Sequence, residues 1–358
     1  MSALSPEPRH ASAADFAACA AMIRGGSRTF FAASLLLPRS VRQPACALYA
    51  FCRLADDAID IEDGRMSALA ALRERLRRAY DGRPLPLAAD RAFADTVAQF
   101  EIPRALPEAL LDGFAWDAAG RRYEDLSELC GYAARVAGSV GAMMAILMGV
   151  RSPRTVARAC DLGVAMQLSN IARDVGEDAR AGRLYLPLRW LREADVDPEG
   201  WLARPVFDQA VGGVIQRLLR AADLLYERAD DGIAQLPWGC RPAIAAARVL
   251  YAEIGRQVER NGCDSVSRRA VVPSARKLAL LPRVLTQTMS ALSGMAATDL
   301  PEAAFLVEAV GALRSQPGIT TDLAAGRTVL QRFDDRASWV VDLFERLERR
   351  EQLQRLRP

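Results

Sequence analysis

The chain has 358 residues, is 51% hydrophobic and carries a formal net charge of +3, enough length for a sizeable core and too little basic excess to argue for nucleic acid as a partner. His10 is the single histidine, which excludes Ser-His-Asp and Cys-His catalysis and zinc sites built on histidine. The seven cysteines (Cys19, Cys46, Cys52, Cys130, Cys160, Cys240 and Cys263) form no Cys-x-x-Cys pair and read as small core residues of a reduced, cytoplasmic chain.

Residues 1–12 are expected to be disordered, and Met1–Pro8 shows no basic segment followed by an apolar run. Ala14–Arg24 reads as the first helix, interrupted at Gly25-Gly26-Ser27-Arg28-Thr29-Phe30; the glycines make either a helix–helix turn or a place where backbone and hydroxyls approach a ligand. Phe31–Leu37 is apolar and stops at Pro38. Ser40 and Gln43 then form a capping box for a helix running toward Asp60. Ser67–Tyr80 is amphipathic, Asp81-Gly-Arg-Pro-Leu-Pro is a loop, and Arg91–Gln99 and Pro107–Asp117 are helical.

Leu126–Met148 is the most apolar helix, with the small residues of Val136-Ala137-Gly138-Ser139-Val140-Gly141 on successive turns. Small residues there either admit a closely packed helix or leave room for a ligand. Its uncharged stretch, Val136–Val150, falls short of the roughly 20 residues needed to span a bilayer. Ser152 and Pro153 start a helix of about seven turns ending at Gly182. Gly182–Pro187 reads as an extended linker, Asp208–Leu236 and Pro242–Asn261 as long helices, and Cys263–Pro273 as an irregular basic segment holding Arg268 and Arg269. The pattern predicts an all-α single domain, a helical bundle with a central apolar cavity: a catalytic region over 13–285 and a helical extension over 286–358 packed on it.

Two polar stripes stand out. Tyr49, Arg53, Asp56 and Asp60 recur at spacings of four, three and four, on one helix face. Asn170, Asp174 and Asp178 recur at i, i+4 and i+8, beside the apolar stripe Val164, Leu168, Ile171 and Val175. Either stripe alone could be a solvated face. Together they read as oxygen ligands converging on hard cations; Mg²⁺, which keeps waters and bridges phosphates, suits them, with Mn²⁺ as a substitute. Arg28, Arg53, Arg173 and Arg268 would complete the charge balance around a diphosphate, and the apolar cavity would take a long hydrocarbon chain.

With these motifs the chain resembles the squalene/phytoene synthases, head-to-head prenyl transferases of the isoprenoid synthase fold, and within them the bacterial phytoene-forming branch. The motifs are Ser27-Arg-Thr-Phe30, Tyr49-x-x-x-Arg53-x-x-Asp56-Asp57-x-x-Asp60, Tyr132-x-x-x-Val-Ala-Gly-Ser-Val-Gly141, Gln167-Leu-Ser-Asn170-x-x-Arg-Asp174-Val-Gly-Glu-Asp178 and Gly182-Arg-Leu-Tyr-Leu-Pro187. Two positions depart from the usual pattern: Thr29 replaces a common Ser, and Cys263 stands where many members have Tyr.

The resemblance implies Mg²⁺ on Asp56, Asp60, Asn170, Asp174 and Asp178. It implies diphosphate contacts from Ser27, Arg28, Arg53, Gln167, Arg173, Tyr251 and Arg268. Phe30, Tyr49, Tyr132, Val136, Ala137, Val140 and Gly141 would line the prenyl tunnels, and Tyr132 or Tyr251 is the candidate base. The implied reaction joins two geranylgeranyl diphosphates into phytoene without NADPH. The alternatives are squalene or dehydrosqualene synthesis from farnesyl diphosphate, and a non-catalytic relative. Peripheral membrane contact is expected, and a downstream phytoene desaturase is a conceivable partner.

Overall fold

The computed structural model describes residues 10–26, 28–59, 65–289 and 298–312, and all regular structure among them is helical. In order the helices are α1 (Ala13–Gly26), α2 (Arg28–Leu35), α3 (Arg39–Ile59), α4 (Arg65–Tyr80), α5 (Ala88–Gln99), α6 (Ala105–Ala118), α7 (Leu126–Ala133), α8 (Ser139–Leu147), α9 (Pro153–Arg180), α10 (Leu188–Glu193), α11 (Pro198–Ala203), α12 (Gln209–Gln235), α13 (Arg241–Arg260), α14 (Ser274–Ala279), α15 (Leu281–Met289) and α16 (Ala304–Gly311).

α9 is the axis of the bundle. The Ser152 hydroxyl accepts from Thr155 N and Pro153 opens the first turn, so the helix begins where the sequence predicts. Val164, Leu168, Ile171 and Val175 bury one flank completely or nearly so. Each such burial stabilises by about 2 kcal/mol against about 1 for the cap, so packing rather than capping decides where α9 lies.

α12 runs antiparallel to α9, and three polar links set their register. Thr155 Oγ1 donates to Gln235 Oε1 (2.8 Å), Arg228 Nη2 to Asp161 Oδ1 (3.0 Å), and the Ser169 and Tyr226 hydroxyls meet at 3.0 Å. α13 packs beside both. α1, α3 and α5 form a second apolar cluster around Cys19, Cys46, Ala47, Ala50, Ala89 and Ala92, where Arg91 grips Asp15, while Phe51 stacks on Phe93 at 4.0 Å within the main core.

α7 and α8 are not one regular helix. A π-helical turn over Ala134–Gly138 joins them, just where the small-residue run begins. The close-packing reading of that run holds: a Cβ on Gly141 would lie 2.2 Å from Ala159 O, and one on Gly163 would lie 2.3 Å from Ala137 O. Gly141 lets α8, and Gly163 lets the π-helical turn before it, touch α9 backbone to backbone. Leu126–Leu147 as a whole is long and apolar enough to cross a membrane by length and composition, longer than the Val136–Val150 stretch considered from sequence, but 61% of its most apolar window is buried inside the bundle.

The short helices α10 and α11 fall between the Gly182–Pro187 linker and the Asp208 helix, in a stretch given no element from sequence, because six residues give no usable periodicity. Asp197 caps α11 by accepting from Gly200 N at 2.8 Å. All seven cysteines are free thiols. Most of 286–358 lies outside the described residues; within it α16 lays Leu306 and Val310 into the core against α9, and Asp299 pairs with buried Arg158 at 2.7 Å.

Candidate active site

An apolar cavity of about 340 Å³ runs alongside α9, reached by side chains from α2, α3, α8, α12 and α13. Phe30, Tyr49, Val136, Ala137, Val140 and Gly141 all line it, as do Gln167, Asn170 and Tyr251. Ring contacts hold its upper wall: Phe30 lies 5.0 Å from Tyr251 and 6.4 Å, edge-on, from Tyr49. The second possibility for the small-residue run therefore also holds, since Gly141 both admits α9 and faces the cavity.

The two acidic stripes carry arginine partners. On α3, Arg53 Nη1 lies 3.4 Å from Asp56 Oδ2 and Nη2 lies 2.6 Å from Asp57 Oδ1, so one guanidinium separates two carboxylates. On α9, Arg173 grips Asp174 at 2.5 Å and Arg269 reaches the same carboxylate from the basic segment at 2.7 Å. Arg269 also sits 3.5 Å from Glu177.

That segment is docked by backbone. Gly176 N donates to Ser265 O at 3.0 Å, and Ser265 Oγ donates to Ala172 O at 2.6 Å. A Cβ on Gly176 would stand 2.0 Å from Val266 O, so only glycine admits this approach. The docking delivers Arg269, not Arg268, the arginine singled out from sequence, to Asp174, although both are exposed. Neighbouring side chains of an irregular segment diverge, and sequence cannot say which of the pair meets the aspartate.

Asp178 completes the stripe. Burial, followed by the charge of Asp174, pushes its carboxyl up to about 7 against the opposing pull of Arg183. Asn170 Oδ1 is buried without a hydrogen-bond partner, an acceptor awaiting a donor or cation. An all-oxygen set of Asn170, Asp174 and Asp178 fits Mg²⁺. Ser27 and Asp60, and the side chain of Arg28, lie outside what is described, and the described residues contain no group of three His, Cys, Asp or Glu at metal-holding distances. Convergence of the two stripes is thus not seen among them; Asp56 and Asp174 are tied to guanidinium groups instead.

Tyr132 stands apart from the cavity walls. Its hydroxyl donates to Asp117 Oδ2 at 2.8 Å, and the Tyr185 hydroxyl donates to Asp117 Oδ1 at 2.7 Å. Burial, then the Asp117 charge, raises both phenols, so each keeps its proton. Asp117 was missed from sequence: fifteen residues from Tyr132 on a separate helix, it shares no spacing with any motif.

The squalene/phytoene synthase family model matches residues 23–277. The chain belongs to the squalene/phytoene synthase family. Among the family's curated members it is 54% identical over 322 residues to the phytoene synthase of Cereibacter sphaeroides, covering 85% of this chain and 90% of that one. It is 52% identical over 292 residues to the phytoene synthase of Rhodobacter capsulatus, covering 80% and 84%. Among solved structures, a dehydrosqualene synthase in complex with ligand superposes with a TM-score of 0.68 at 31% identity, covering 76% of this chain and 96% of that one. A squalene synthase from Alicyclobacillus acidocaldarius superposes with a TM-score of 0.64 at 27% identity, covering 70% and 94%. The fold is that of the isoprenoid synthases.

Proposed function

We propose that this enzyme joins two molecules of geranylgeranyl diphosphate head to head into phytoene, through a cyclopropyl diphosphate, as the first committed step of carotenoid biosynthesis. One observation carries the reading: a single helix, α9, bears oxygen donors at one end (Asn170, Asp174 and Asp178) and lines an apolar cavity along the rest of its length. Relatives above 50% identity bear the phytoene synthase name, which favours the C40 product over the farnesyl-derived C30 alternatives.

Asp56, Asp60, Asn170, Asp174 and Asp178 would hold Mg²⁺, or Mn²⁺ in its place, and the metal would supply Lewis-acid stabilisation of the departing diphosphate. Arg53, Arg173 and Arg269, now neutralised by aspartates, are placed to take up diphosphate oxygens as those aspartates engage cations. The first diphosphate leaves with the C1–O bonding pair, and the double bond of the second substrate attacks the allylic cation. A proton is lost as the cyclopropane ring closes. The second diphosphate departs likewise, the skeleton rearranges, and a second proton is lost; no hydride is consumed. The walls formed by Phe30, Tyr49, Val136 and Ala137 keep water from the cation. Tyr251 remains the better candidate base, because it lines the cavity while the Tyr132 proton is committed to Asp117.

The product is a pure hydrocarbon, so peripheral attachment to a membrane from the cytoplasm and hand-over to a desaturase belong to the same proposal. The test is product identification from purified enzyme with Mg²⁺ and either geranylgeranyl or farnesyl diphosphate, with and without NADPH. A C40 hydrocarbon without NADPH is expected. A C30 product would transfer the reading to the dehydrosqualene branch, and no product from either substrate would overturn it.

A further inference from the structure

From Thr155 to Asp174 α9 advances nineteen residues, about 28 Å. The cavity extends toward the Thr155 end, where Leu37, Met148, Thr155 and Leu236 line it. That end is closed by the turn between α12 and α13. Leu236 faces inward and is 5% exposed, whereas Trp238, two residues on, is 52% exposed. Gly239 brings the turn against Pro38, where an added Cβ would stand 3.2 Å from Pro38 Cγ. Arg241 stacks on Trp238 with 4.1 Å between the guanidinium carbon and the ring centre, and its Nε donates to Leu236 O at 2.8 Å.

The charges at this end are one-sided. The segments that meet there are 35–42, 98–102, 148–155 and 235–242, linked by Thr155 to Gln235, Gly239 to Pro38 and Arg151 to Phe100 O. They contain Arg39, Arg42, Arg151, Arg154 and Arg241 against the single acid Glu101. The N-terminus of α9 points the same way and adds partial positive charge. The opposite end of α9 carries Asp174, Glu177 and Asp178 together with Arg173, Arg180 and the docked Arg269. The molecule therefore has one end where carboxylates and guanidinium groups are paired and a basic end bearing an exposed tryptophan, with an apolar cavity between them.

We infer that the Trp238 face is the surface by which the enzyme sits on an anionic lipid bilayer. The inference rests on the proposal that the product is a hydrocarbon. Arginines supply attraction to acidic headgroups, and an indole flanked by a guanidinium belongs at the headgroup boundary. In this orientation the closed end of the cavity lies against lipid, and the diphosphate end faces water. Product would leave by displacement of the Leu236–Cys240 turn, whose Leu236 lines that end, rather than past the charged mouth.

The test is sedimentation of the full chain with vesicles of phosphatidylcholine alone and of phosphatidylcholine with phosphatidylglycerol. Binding is expected only to the anionic vesicles and should fall with added salt. Arg39→Gln with Arg154→Gln should weaken it about thirtyfold, and Trp238→Ala should weaken it further, while Arg192→Gln, toward the other end, should leave it unchanged. Turnover of geranylgeranyl diphosphate in detergent should stay at the wild-type level in every variant, which shows that they fold and separates this inference from the proposed reaction. Full vesicle binding by the Arg39/Arg154 and Trp238 variants would overturn it. So would failure of the wild-type chain to bind anionic vesicles, or a sedimentation equilibrium in which Trp238→Ala dissolves a dimer formed without lipid.

Discussion

Arg269 Nε lies 2.7 Å from Asp174 Oδ1, closing over a carboxylate that Arg173 already grips from the same helix. Two guanidinium groups on one aspartate are a stable arrangement without a cation and a store of positive charge once a cation takes the carboxylate. Arg269→Gln should therefore lower kcat/KM for the diphosphate substrate by about ten- to a hundredfold, the cost of one charge-assisted contact. Arg268→Gln should stay within about threefold. Steady-state kinetics on the two variants decide which arginine serves the site, and equal losses would remove the distinction drawn from the structure.

Asn170 Oδ1 is a buried acceptor with no hydrogen-bond partner among the described residues. Removing it takes nothing from the metal-free fold, so Asn170→Ala should melt within about 1 kcal/mol of the wild type in EDTA. The Mg²⁺ concentration giving half-maximal activity should nonetheless rise at least tenfold, at the upper end of what losing a supporting contact costs a metal site. A large loss of stability without any change in Mg²⁺ dependence would assign the side chain a purely structural role.

Gly176 exists to let the Cys263–Ala270 segment touch α9. A methyl group there meets Val266 O at 2.0 Å, and backbone cannot yield as a flexible side chain can. Gly176→Ala should cost about 1–3 kcal/mol of stability, as overpacking does, and should depress kcat/KM by at least the amount lost in Arg269→Gln, because the displaced segment carries Arg269. Combining the two substitutions should then add little in kinetics, which a double-mutant cycle measures.

The Asp178 carboxyl sits at about 7, above its ordinary value, chiefly through burial. The sign follows directly. Between pH 4 and 7 the metal-free folded chain holds a proton that the unfolded chain releases, so this group's penalty is absent below that window and complete above it. Stability in EDTA should fall as pH rises through the window, and Asp178→Asn should flatten that slope in thermal melts from pH 5 to 8. Mg²⁺ competes with the same proton, so its apparent affinity in the wild type should rise over the same interval.

Much of the site could be read in one dimension because helical spacing reports a face. The period that aligns Asn170, Asp174 and Asp178 also aligns Val164, Leu168, Ile171 and Val175, and both stripes lie where that period puts them. Phe30, Tyr49, Val136, Ala137, Val140 and Gly141 line the cavity as the family resemblance implied, whereas spacing alone left the small-residue run open between close packing and a gap. Spacing is silent about contacts between segments far apart in the chain. Asp117 binding Tyr132 and Tyr185 joins three elements, and Arg269 reaches Asp174 across 95 residues. No periodicity links such pairs.

The sequence by itself determined the all-α class, the principal helices with the Ser152 cap of α9, the exclusion of histidine chemistry, and the two acidic stripes beside apolar ones, since each of these follows from composition or from a repeat of three and four residues. The capping box read at Ser40 is not formed, because α3 already begins at Arg39 after Pro38. Only the tertiary structure decided that Gly141 and Gly163 bring α8 and the π-helical turn before it into backbone contact with α9, that Tyr132 turns to Asp117 rather than into the cavity, and that Trp238 stands exposed in the turn between α12 and α13. Those outcomes depend on where one helix meets another. Such meetings are set by the joint packing of many side chains, and no single segment of the chain encodes them.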